Sequence, residues 1–99
     1  MGKPSAFDVA DYLDNDEVIA EYLTAALEDS SPDVFLMAVG DVAKAKGMSE
    51  VANQTGLGRE SLYKAFAPGA KPRYDTVLRV LKALGIQLHA APSAEGTPS

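Results

Sequence analysis

The apolar positions of this chain recur at helical spacing, in runs broken by Gly and Pro. Glu17 to Asp29 places Ile19, Tyr22, Leu23, Ala26 and Leu27 on one stripe, behind Asn15 or Asp16 as the cap. Ser30-Ser31-Pro32-Asp33 is a restart signal: Ser at the N-cap, Pro at the first helical position, an acid in the first turn. The helix it opens, Pro32 to Lys46, turns Phe35, Leu36, Val39, Val42 and Ala43 inward and stops at Gly47. Gly40 lies inside that helix, where Gly costs about 1 kcal/mol relative to Ala. Its presence predicts a close helix–helix contact. A last helix, Tyr74 to Leu84, carries Tyr74, Val77, Leu78, Leu81 and Leu84 on one face and ends at Gly85.

Between these lies the stretch that organises the chain, Ser49 to Phe66. Ser49 is the expected N-cap of a short helix with Val51, Ala52 and Thr55 on its apolar face. Gly56 stops it in the left-handed region, Leu57 points back to the core, and Gly58 caps a second helix, Arg59 to Phe66. Leu62, Ala65 and Phe66 face inward there, while Arg59, Glu60, Tyr63 and Lys64 face out. Two short helices, a Gly-containing turn and exposed polar groups near the second N-terminus form the layout of a DNA-reading helix-turn-helix. At the ends, Phe7 to Leu13 is a single helical turn or an extended arm. Ile86-Gln87-Leu88-His89 alternates like a strand, and residues 90–99 read as a disordered tail.

The expected fold is all-α: a compact bundle of about five helices containing the helix-turn-helix, closed by a short C-terminal strand. Residues 1–31 form an acidic N-terminal arm and helix, and residues 32–89 the DNA-binding core with its strand. A lone strand has no partner in a helical chain, so Ile86 and Leu88 are expected to pair with a second copy in a homodimer.

Composition narrows this further. The chain is 46% hydrophobic and 23% charged, ordinary for a globular domain, and has no cysteine to form a disulfide or a thiolate metal site. No apolar run approaches the roughly 20 residues that span a bilayer. Asp8 and Asp11 interrupt the apolar part of the N-terminus, so a secretory signal is not expected and the compartment is read as cytoplasm. The net charge of −5 argues against a nucleic-acid partner until its distribution is seen. Residues 1–31 hold Asp8, Asp11, Asp14, Asp16, Glu17, Glu21, Glu28 and Asp29 against Lys3 alone. Residues 42–86 hold Lys44, Lys46, Arg59, Lys64, Lys71, Arg73, Arg79 and Lys82 against Glu50, Glu60 and Asp75. The basic part suits phosphates, and the acidic part suits a basic protein.

Among candidate contacts, Arg59 has the geometry to pair bidentately with guanine, and Lys64 and Tyr63 lie on the same outward face. Glu60 either reads cytosine or pairs with Lys64 at i+4. Ser61 either binds a phosphate or bonds back to its helix, and Lys71 and Arg73 either meet the DNA backbone or remain solvated. The Asp11, Asp14, Asp16, Glu17 cluster fails as a calcium loop, because Ile19 stands where the turn needs Gly. His89 has no second ligand or base beside it, and no Ser has one either. Neither an enzyme nor a metal or organic cofactor is expected. Two readings of different class remain: a DNA-binding regulator, or a protein-interaction module that never touches DNA.

From about Phe7 to Leu88 the sequence resembles the antidote (antitoxin) proteins of bacterial addiction modules, the HigA-like branch of the Xre/Cro-type helix-turn-helix family. The resemblance rests on FDVADYL, AALED, DVAKAKGMSEVANQTGLGRESLYKAF and DTVLRVLKALG. It implies a lambda-repressor-like fold and a cytoplasmic homodimer that binds double-stranded operator DNA as an autorepressor. It also implies direct binding of a basic RelE/ParE-like toxin encoded beside it. Glu17, Ile19, Glu21, Tyr22 and Leu23, on the acidic helix, are the expected toxin contacts.

Overall fold

A computed structural model describes residues 15–93. The element expected at Phe7 to Leu13 and the tail beyond residue 93 lie outside the described residues. Within them the chain forms five α-helices: α1 Asp16–Leu27, α2 Pro32–Lys46, α3 Met48–Thr55, α4 Arg59–Ala65 and α5 Tyr74–Ala83.

Local chemistry sets these ends. Asn15 caps α1, its side-chain oxygen accepting from the backbone N–H of Glu17 at 2.8 Å and of Val18 at 3.2 Å. In the short turn to α2, the Ser31 N–H donates to the Asp29 carboxylate at 2.9 Å. Gly47 both ends α2 and starts α3, so Ser49, the expected cap, sits instead on the exposed first turn of α3. Gly56 closes α3 in the left-handed region at φ 77°. Beside it the buried Thr55 hydroxyl donates to the Val51 carbonyl at 2.8 Å and accepts the Leu57 N–H at 3.2 Å. That pair of bonds fixes the turn between α3 and α4.

The core is continuous from α1 to α5. Ile19 and Leu23 of α1 meet Val39 and Val42 of α2, Val51 of α3, Leu62 and Phe66 around α4, and Val80, Leu81 and Leu84 around α5. The core therefore runs across the boundary expected at residue 31. α1 packs on α2, while α3 touches α2, α4 and α5. Among the expected inward positions, Leu27 is half exposed at 50%, Tyr74 is 70% exposed and Leu78 lies at the surface. On α5 the buried stripe is Val77, Val80, Leu81 and Leu84. A stripe drawn from Tyr74 turns the helix away from this face and omits Val80.

The C-terminal strand is not formed among the described residues. Gly85, at φ 79°, lets the chain fold back on α5. The Gly85 N–H bonds to the Lys82 carbonyl and the Ile86 N–H to the Leu81 carbonyl, both at 3.0 Å. This double cap is a Schellman motif. It draws Ile86 against the core, and residues 86–93 continue without regular structure.

Gly40 is buried, and a Cβ built there lies 3.1 Å from the Phe66 Cβ. The close contact expected from sequence is with the residue that ends α4. Gly40→Ala sets a propensity gain of about 1 kcal/mol against this crowding, so it is expected to stay within about 1 kcal/mol of the parent. Gly40→Val adds two methyl groups facing Phe66 and is expected to lose about 2–3 kcal/mol. Urea denaturation of both variants checks the pair, and a Val variant as stable as the parent contradicts the contact.

Candidate functional site

α4 is held by Leu62, which is fully buried, and by Phe66 just beyond its end. Anchoring those two leaves Arg59, Glu60, Ser61, Tyr63 and Lys64 exposed on the outer face. Among the described residues Glu60 and Lys64 form no ion pair, and the Ser61 hydroxyl makes no bond back to its helix. The five side chains are thus uncommitted within the described part of the chain.

The loop before α5 is different. Lys71 is exposed without a partner among the described residues, but Arg73 pairs with Asp75, its Nε 3.1 Å from the carboxylate. The guanidinium holds the Asp75 carboxyl below the usual carboxylate range. Arg73 reaches an external phosphate only by exchanging this partner. Both groups are largely exposed, so the exchange carries little penalty.

Charge divides the described chain in two. From Asn15 to Asp41 the charged groups are all carboxylates: Asp16, Glu17, Glu21 and Glu28, then Asp29, Asp33 and Asp41, with no Lys or Arg. From Val42 onward Lys and Arg outnumber the acids. The division falls within α2, so α1 with most of α2 is acidic, and α3 to α5 are basic.

On the acidic side, Glu17 and Glu21 are exposed and Tyr22 is half-buried. Ile19 and Leu23, expected at a partner surface, are 1% and 2% exposed and belong to the core. They hold α1 on α2 instead. The Tyr22 hydroxyl donates to Asp41 Oδ2 at 2.9 Å, tying the two helices together. Burial, then the Asp41 carboxylate, pushes the Tyr22 phenol up to about 12. Of the expected dimer residues, Ile86 is half-buried and Leu88 is 39% exposed. Leu88 edges an apolar groove of about 590 Å³ with Leu27, Phe35 and Tyr74.

Sequence reading missed Asp41, Val34 and Met37 as surface groups. The signal was present in α2, which carries more apolar residues than one core-facing stripe holds. Among the described residues there is no cluster of metal-ligating side chains and no helix long and apolar enough to cross a membrane.

The described residues form a small all-helical unit with its acids on α1 and most of α2, its bases from Lys44 onward, and its uncommitted polar groups on exposed surfaces. Residues 3–92 match the family described as "probable addiction module antidote protein", and the chain belongs to that family. A relative from Haemophilus influenzae, described as an uncharacterized protein, is 40% identical over 87 residues, spanning 88% of this chain and 90% of its own length. No solved structure matches the chain.

The phenol shift has a defined sign. A folded-state pKa above the ordinary 10.0 gives a contribution that is complete below about pH 10 and lost as pH rises toward 12. Tyr22→Phe removes the bond and is expected to lose about 1 kcal/mol at neutral pH. The ultraviolet titration difference between parent and variant is expected to show the missing phenol ionising near pH 12. A midpoint near 10 contradicts the burial of the phenol and its bond to Asp41 together.

Proposed function

We propose that the chain is the antitoxin of a type II toxin–antitoxin module, a HigA-like protein of the Xre/Cro type. In this reading it binds operator DNA as a transcriptional autorepressor and neutralises a RelE/ParE-like toxin by direct contact in the cytoplasm. The observation that carries the reading is antidote-family membership across residues 3–92. The uncommitted outer face of α4 supports the DNA part. α3, the Gly56-Leu57-Gly58 turn and α4 act as a helix-turn-helix whose second helix enters the major groove. Arg59 reads guanine through two parallel hydrogen bonds, while Ser61, Tyr63 and Lys64 take further base-edge and phosphate contacts and Glu60 faces cytosine. Lys71 and Arg73 meet the flanking backbone, Arg73 after releasing Asp75.

The protein acts as a homodimer in this reading. With the strand replaced by a cap at Ile86, the contact falls to Leu88 and the exposed apolar groups beside it, Tyr74 and Leu78. The total charge of −5 favours a second reading, a protein-interaction module without DNA binding. The segregation of that charge supports the first. A regulator that acts without any toxin shares the DNA face and differs only on the acidic side.

Arg59→Ala and Lys64→Ala separate these readings. Each is expected to weaken binding to a duplex from the chain's own upstream region while leaving helicity and melting temperature unchanged. Loss of a base pairing is worth about 1–3 kcal/mol and relaxes one operator position, whereas loss of a phosphate contact flattens the salt slope by about one unit. Footprinting on the same duplex is expected to show two half-sites about 34–36 Å apart. Variants that bind as tightly as the parent at matched salt remove α4 from the interface.

A further inference from the structure

We propose that the groove between α1 and α2 is the docking site for a basic amphipathic helix of the protein partner, with Asp41 as its charged anchor. The proposal rests on the antidote reading and assigns the surface that reading leaves open.

The groove, of about 420 Å³, is lined by Tyr22, Ala25, Val34, Met37 and Asp41. Val34, Met37 and Asp41 follow one another at i, i+3 and i+7, so they form a single stripe along α2. That stripe is separate from the one α2 buries. Met37 is 48% exposed and Val34 38%, although both side chains are large and apolar. Asp41, at the end of the stripe, is half-buried and accepts the Tyr22 hydroxyl on Oδ2. Among the described residues it has no cationic partner. A partly buried carboxylate beside two exposed apolar side chains is suited to an arginine or lysine arriving with apolar neighbours.

Charge selects among the possible occupants. Glu21 and Asp33 lie one helical turn before Ala25 and Met37, and no base occurs between residues 15 and 41 to offset them. Phosphate is therefore repelled. A second copy meeting this face across a two-fold axis would bring the same acids against themselves. Residues 1–14 of the chain itself carry Asp8, Asp11 and Asp14 against Lys3, so they are also of like charge. A partner segment with Lys or Arg flanking apolar residues at helical spacing matches both the floor and the rim. The Val34, Met37 and Asp41 stripe runs along α2, so an occupant with its own apolar and basic groups at helical spacing matches it position by position.

The test is a titration of the full chain, labelled at its Val, Met and Ala methyl groups, with the purified toxin encoded beside it, followed by NMR and calorimetry. The Val34, Met37 and Ala25 methyls are expected to shift on binding. Met37→Lys, which places a like charge against a basic helix, is expected to weaken the complex about tenfold or more. Asp41→Asn keeps an acceptor for Tyr22 and is expected to weaken it by a similar factor while flattening its salt dependence. Both variants are checked by circular dichroism and by retained duplex binding. Toxin binding that leaves the three methyls in place and both variants within twofold of the parent overturns the proposal while the antidote reading stands. Methyl shifts produced by deleting residues 1–14, or by raising protein concentration alone, assign the groove to the chain itself and overturn it as well. A parent chain that binds no toxin removes the antidote reading and the proposal together.

Discussion

The domain depends on α3, a helix of eight residues that is too short to persist in water by itself. It survives by burying Met48, Val51 and Thr55 and by touching three other helices at once. The Thr55 hydroxyl, bonded on both sides, then fixes the direction in which the chain leaves for α4. Gly40 supplies the complementary constraint from α2, where the missing side chain admits Phe66 to close range. α4 is thus pinned at its start by the turn and at its end by Phe66. Its outer residues are consequently carried on a helix fixed at both ends.

Charge is segregated along the same framework. A domain with its acids and bases interspersed would present little net field in any direction. Here the acids lie on α1 and most of α2, and the bases follow from Lys44 to Lys82. The total of −5 conceals this, since the acidic side outweighs a basic side that remains locally positive. In the proposed reading, such a division suits two partners of opposite charge. The Arg73–Asp75 pair tempers the basic side, because the cation nearest the start of α5 is already engaged by a carboxylate.

Much of the fold was legible in the sequence because its signals are local. Asn15, Pro32, Gly47, Gly56 and Gly85 mark helix ends through caps and backbone geometry that involve only near neighbours. Gly40 announced a close contact, though its partner Phe66 is distant in sequence and required the fold to appear. The misplaced core positions share one cause. Tyr74, Leu78 and Leu27 were assigned to the core by periodicity, which shows that a stripe exists but not how far the helix is rotated. Ile86 alternates like a strand, yet the glycine before it makes the cap on α5 the nearer use for its N–H. For the site, outward residues on α4 were readable because Leu62 and Phe66 fix the opposite face. The Tyr22–Asp41 bond spans two helices, and no spacing rule brings those residues together.

In the proposed reading the basic half reads nucleic acid through α4 while the acidic half is left for another partner. Backbone amide NMR of the full chain, titrated with a duplex from its own upstream region, tests this most directly. The expected result is a set of shifts concentrated at Arg59 to Lys64 and Lys71 to Arg73, with Val34 to Asp41 unmoved. Shifts centred on α1 and α2, or a duplex that leaves α4 unperturbed at low salt, would contradict it.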